Sequence, residues 1–159
     1  MFSIPNPLHP AVVHFPIALI MVGAFMAVLA VIFRRWALPA ALVLAMGAAG
    51  AVVAVETGEE ADHDAGRISA QAQEVLKKHA HAAELTRNLS LAAAGLAIVS
   101  LFLGKIPLVR RILAGLVAIV ALISVWSVAE TGHYGGELVY RNGVGVKVPT
   151  QPVPSRNHD

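Results

Sequence analysis

The chain has 159 residues, 57% hydrophobic and 14% charged, with a formal net charge of +2. Soluble domains carry about 25% charged residues, so an ordinary water-soluble domain is excluded, and basic residues without interleaved aromatics argue against nucleic-acid binding. The absence of cysteine excludes disulfides, thiolate metal sites, iron–sulfur clusters and covalent c-type haem, leaving His, carboxylate or Met to hold any metal or haem.

The opening MFSIPNPLHP has no basic stretch and no small-residue cleavage site, so the first apolar run is expected to be a retained helix and not a removed signal peptide. Hydropathy predicts a first span over residues 11–33 and a second over 36–55, each about the 20 residues that cross the hydrocarbon core. Only Arg34 and Arg35 separate them, which predicts a tight helical hairpin. A third run, 89–104, is short for a span, but the preceding residues 69–88 have helical composition and extend the same helix into water. The fourth run, 112–129, follows a connection in which Pro107 suits a first helical turn.

The two short connections hold Arg34, Arg35, Lys105, Arg110 and Arg111 and no acid. The positive-inside rule places them in the cytoplasm and both termini outside, in a bacterial inner membrane. The hairpins end alike, AVETG at 54–58 and VAETG at 128–132, as a parallel repeat about the membrane normal would. Gly and Ala crowd the second and third spans, either for close helix packing or to leave room for a flat cofactor. After the fourth span, Leu138–Tyr140 and Val144–Val148 flank Asn142-Gly143, a hairpin signal, so a small outer β-hairpin is expected over 133–148, with a mobile proline-rich tail at 149–159. The fold class is therefore all-α: a four-helix integral membrane bundle of two helical hairpins (1–132) plus that β-hairpin.

All seven histidines, at 9, 14, 63, 79, 81, 133 and 158, fall on the predicted outer side. His9 precedes Pro10 where the first helix starts. His14 lies one turn inside, before Pro16, which bends that turn and frees backbone groups; an ionisable residue there is a candidate site by default. His79 and His81 are two apart on one helix and point in different directions. The polar row His81, Glu84, Asn88, leading down to Ala92 and Gly95, favours His81 as the inward one. His133 follows Glu130 by three residues, and Glu56 occupies the matching place on the second span, positions from which a carboxylate orients a ligating imidazole or is simply solvated. Glu60 and His63 have the Glu-x-x-His spacing of di-iron bundles, without the second copy that motif needs.

HPAVVHFPIAL at 9–19 and GHYGGELVYRNGVGV at 132–146 resemble an uncharacterised family of bacterial predicted membrane proteins, a domain of unknown function, and the resemblance covers nearly the whole chain. It implies a four-helix membrane domain, with outer-face motifs of the GHxGGxL type that also occur in bacterial proteins carrying c-type cytochrome domains. The reading reached is a membrane-anchored redox or metal-binding subunit, an electron-transfer or binding subunit more than a stand-alone enzyme. One haem b or transition metal ion is expected near the outer face, held by two of His14, His81, His133 and His9, with Glu56 and Glu130 beside a metal and a periplasmic cytochrome or other redox partner. The competing reading is a cofactor-free structural or assembly module that docks a periplasmic partner.

Overall fold

The computed structural model describes residues 9–64, 68–103 and 106–146, with side chains at 9–61, 68–103 and 106–146. His158, the side chain of His63 and the tail at 149–159 lie outside the described residues.

The helices are α1 (His9–Val12), α2 (His14–Ile32), α3 (Ala37–Asp64), α4 (Ala70–Leu103) and α5 (Pro107–Tyr140). Pro16 explains the break between α1 and α2: it has no N–H to donate to Val12, and its ring crowds that carbonyl. The ladder continues on either side, Val13 N–H to His9 O at 3.1 Å and Ile17 N–H to Val13 O at 3.3 Å. Phe33, extended at φ −117° and ψ 105°, ends α2, and a single 3-10 turn, Arg34–Trp36, reverses the chain into α3. Ser69 caps α4, its hydroxyl accepting from Ala72 N–H at 3.1 Å. Pro107 opens α5 in its first turn, where a missing N–H costs nothing. At 34 residues each, α4 and α5 are roughly 50 Å long, well beyond the roughly 30 Å hydrocarbon core. The polar stretch before residue 89 is thus the first half of α4.

The β-hairpin is not formed: among the described residues there is no strand, and His133–Tyr140 complete α5. Burial at Val117, Ala121, Ser124, Ser127 and Leu138 keeps a helical period to the last turn. Asn142-Gly143, the expected strand turn, instead caps the helix. Gly143 takes φ 65° and donates its N–H to Val139 O at 3.1 Å, while Val144 N–H donates to Leu138 O at 3.0 Å. Asn142 adds a side-chain bond to Glu137 O at 3.1 Å.

Each long helix packs against its neighbours in sequence, and α2 closes the ring on α5. The interior is small: Ala24, Ala27, Ala40, Ala41, Ala48, Ala93, Ala97 and Ala121 are buried around Leu44 and Val117. Glycines bring α2 and α3 together. A Cβ at Gly23 would lie 2.8 Å from Leu44 Cδ2, and one at Gly47 3.2 Å from the Ile20 backbone nitrogen. The crowded small residues therefore serve close packing of helices. The large apolar side chains point outward instead, with Trp126 75%, Phe102 72% and Phe25 64% exposed. An apolar exterior around an alanine interior suits a bilayer, and four of the helical segments are long and apolar enough to cross one. Arg34, Arg35, Arg110 and Arg111 mark one end of the bundle, and His9 and His79 the other.

Candidate functional site

The histidine end is built from two similar contacts, one in each hairpin. In the first, His9 at the start of α1 reaches the last turns of α3, where Nδ1 lies 2.9 Å from Ala54 O. A carbonyl oxygen only accepts, so Nδ1 carries the proton and donates, leaving the lone pair of the neutral ring on Nε2. Thr57 Oγ1 donates to Val53 O at 2.9 Å and stands 3.4 Å from the same Nδ1. The ring lies across Gly58, where a Cβ would come within 3.1 Å of Cε1. In the second hairpin, His79 on α4 donates from Nδ1 to Thr131 O on α5 at 3.0 Å and lies across Gly135, where a Cβ would come within 3.2 Å of Cε1.

In both cases the accepting carbonyl belongs to residue n and the glycine is n+4, one helical turn on. The glycine carries no side chain over the carbonyl whose second lone pair the imidazole uses. This correspondence pairs Ala54 with Thr131 and Gly58 with Gly135, whereas the AVETG and VAETG match pairs Ala54 with Val128 and Gly58 with Gly132. The structural repeat is therefore one turn out of register with the sequence repeat.

The two rings meet edge to face, with centroids 6.3 Å apart and planes at 89°. Both are partly buried. Neither Nε2 has a hydrogen-bond partner among the described residues, and neither is sealed off, because no buried side-chain nitrogen or oxygen there lacks one. Two accessible imidazole lone pairs thus stand together, one from each hairpin.

Beneath His79 a ladder of hydroxyls runs down the α4–α5 seam. Thr86 Oγ1 lies 2.8 Å from Ser127 Oγ and 3.1 Å from Thr131 Oγ1, and one turn deeper Ser90 and Ser124 pair at 2.8 Å. Hydroxyls also donate to carbonyls of their own helix, Thr86 to Ala82 O at 2.9 Å and Ser90 to Thr86 O at 2.7 Å, so this polar row is fully satisfied in the bundle interior.

Of the residues the sequence singles out, the structure brings His9 into this pair. His14, His81, His133, Glu56 and Glu130 are exposed, and the His133 ring packs edge to face on Tyr134. His79 is the inward histidine of its helix, and the row His81, Glu84, Asn88 faces outward. The signal for His79 was present in the row Ala72, Val75, His79, Ala82, Thr86, Ser90, Ala93, Ala97, whose three- and four-residue steps of small or hydroxyl residues trace the buried face. Among the described residues no group of three or more His, Cys, Asp or Glu side chains is placed to hold a metal ion. The side chains of the Glu60 to His63 motif beyond Ala61 lie outside the described residues.

No curated protein and no solved structure matches the chain. The family model described as "Predicted membrane protein (DUF2231)" matches residues 5–148, nearly its full length. With four apolar helices and that match, the chain belongs to the DUF2231 family of predicted membrane proteins.

Proposed function

We propose that this protein is a membrane-anchored redox or metal-binding subunit of the bacterial inner membrane, with its site at the outer, periplasmic face and His9 and His79 as the ligand pair. The carrying observation is that each imidazole has its Nδ1–H engaged by a helix carbonyl and its Nε2 free, which is how proteins fix the tautomer and orientation of metal-binding histidines. The spacing agrees. A metal about 2 Å from each Nε2, with the ring centres about 1 Å further back, sets opposed imidazoles roughly 6 Å apart, whereas a tetrahedral pair sits nearer 5 Å. At 6.3 Å the two rings are within reach of one centre, and because they meet edge to face one of them turns before both Nε2 atoms face it.

Imidazole suits copper, zinc, iron and nickel. A bare ion fits this end better than haem b, because the α4–α5 seam directly below His79 is filled by bonded hydroxyls, Thr86 with Ser127 and Thr131, and Ser90 with Ser124. One site near one face exchanges electrons with a periplasmic carrier or a quinol, since no histidine lies in the arginine half. The cofactor-free assembly module draws on a different aspect of the same contacts: two imidazole–carbonyl bonds also fasten helix ends together without any metal.

The test is metal analysis and an absorption spectrum of protein purified in mild detergent, for wild type, His9→Ala, His79→Ala and His14→Ala. The expected result is about one metal ion per chain, lost in the first two variants and kept in the third. A Soret band would replace the ion by haem b at the same pair. Folded, colourless, metal-free wild type that binds no added copper or zinc would refute the site and favour the assembly module.

A further inference from the structure

The opposite end of the bundle carries a second feature, independent of the histidine pair. A cleft of about 220 Å³ opens between the two hairpins, lined by Arg34 and Arg110 together with Ala30, Leu101 and Ala114. Arg34 stands in the turn between α2 and α3 and Arg110 in the first turn of α5, so the two guanidinium groups come from different hairpins. Ser100 also lines the cleft, but its hydroxyl donates to Ala97 O at 2.7 Å, which leaves the arginines as its charged donors.

The charge here is one-sided. Residues 1–55 and 85–129 contain no Asp or Glu, so no carboxylate of those segments can neutralise the four arginines. None of the four enters an ion pair among the described residues. Guanidinium is a planar fork that matches two phosphate oxygens, and two forks from separate elements clamp one phosphate. At roughly 30 Å³ per water the cleft equals about seven waters, enough for a phosphate ester and its glycerol but below the roughly 300 Å³ of a pocket that encloses a whole small molecule. The rest of the ligand must lie outside. Leu38 in the lining is 56% exposed, and Phe102 and Leu108, one residue after Leu101 and two before Arg110 in the chain, are 72% and 68% exposed, which offers a path for acyl chains.

We propose that this cleft binds the headgroup of an anionic phospholipid, its phosphate between Arg34 and Arg110 and its acyl chains along the apolar flank of α3, α4 and α5. A lipid is the occupant, not a free anion, because the walls are apolar and continuous with the bilayer-facing surface, and basic pockets between membrane helices take anionic headgroups. Bound there, one lipid ties the two hairpins together at the end where no histidine contact does so.

The experiment counts lipids bound to the full chain in detergent by native mass spectrometry, titrating dioleoyl phosphatidylglycerol against dioleoyl phosphatidylcholine. One saturable phosphatidylglycerol per chain is expected. The double variant Arg34→Gln/Arg110→Gln should weaken it on the order of thirtyfold, with phosphatidylcholine unaffected. Ala114→Leu keeps every charge but fills the cleft, and should weaken binding as well; it decides the matter alone if the double variant does not fold. Wild-type affinity in Ala114→Leu would mean that diffuse charge attracts the lipid and would overturn the site. Full displacement of the lipid by millimolar inorganic phosphate would overturn the choice of a lipid.

Discussion

Gly135 offers a test of whether His79 is pressed onto α5. An alanine there would place its Cβ 3.2 Å from His79 Cε1 and 3.5 Å from Nδ1, so the ring must retreat by a few tenths of an ångström from a carbonyl it now meets at 3.0 Å. Two terms oppose each other. Removing a helix-interior glycine contributes about 0.8–1 kcal/mol of stability, and weakening the imidazole–carbonyl bond costs about 0.5–1.5 kcal/mol. The net change at Gly135 is close to zero. Gly132, on the same helix less than a turn away, has nothing within 4 Å of where its Cβ would be, so Gly132→Ala keeps the whole gain. Unfolding of the two variants in detergent should therefore differ by about 1 kcal/mol in favour of Gly132→Ala. Metal content should fall in Gly135→Ala alone. Equal stabilisation at both positions, with unchanged metal, would refute the reasoning, since it would mean that the ring does not depend on the bare backbone at Gly135.

Three further outcomes follow from other parts of the molecule. A double-mutant cycle of Ser90→Ala and Ser124→Ala should give a coupling of about 0.6 kcal/mol and no more than about 1.7, as for hydrogen bonds between membrane helices; a coupling indistinguishable from zero in unfolding assays would remove the 2.8 Å bond from the account. Gly143→Ala forces a left-handed φ on a residue with a Cβ, costing about 1 kcal/mol or more, and should raise amide hydrogen exchange at 138–142 while exchange near Ser124 stays unchanged. For orientation, a reporter fused after Arg35 should be active only in the cytoplasm and one after Asp159 only outside; the reverse pattern would move the histidine end to the cytoplasmic face.

The four helices and their pairing were legible because hydropathy, the Arg34-Arg35 turn and Pro107 are local signals that lipid enforces strictly. The C-terminal segment was not, because Asn-Gly serves equally as a strand turn and as a left-handed helix cap. What decides is whether burial continues at helical period, and Leu138 on the face of Ser127 continues it. Choosing between His79 and His81 failed for a related reason. A polar row such as His81, Glu84, Asn88 leads inward only if that length of helix is in the membrane, and α4 extends well beyond its apolar half, so the row faces outward. The hydroxyls Thr86, Ser90, Ser124, Ser127 and Thr131 are scattered along the chain. Only antiparallel packing of α4 on α5 brings Thr86 to Ser127 and Ser90 to Ser124, separations of 41 and 34 residues that no local window reports.

The offset between the two repeats bears on how the site came to be paired. If the ETG motifs were themselves the histidine seats, the second imidazole would bond Val128 O and lie over Gly132. It bonds Thr131 O and lies over Gly135, one turn further from the bundle centre, while Gly132 faces open space. The two imidazoles also come from different places: His9 from the turn that Pro16 splits off the first long helix, and His79 from inside a continuous helix nine residues past its start. A seat needs only a helix carbonyl and a glycine four residues later, and any helix can supply both. Ring height on each hairpin is then set by where its histidine arrives, and the 6.3 Å meeting of the rings depends on the hairpins packing in one fixed register. Substitutions at the α3–α4 contact that shift one hairpin against the other by a single turn would separate the rings without touching either histidine. For this reason the close alanine packing of the interior belongs to the same device as the imidazole pair.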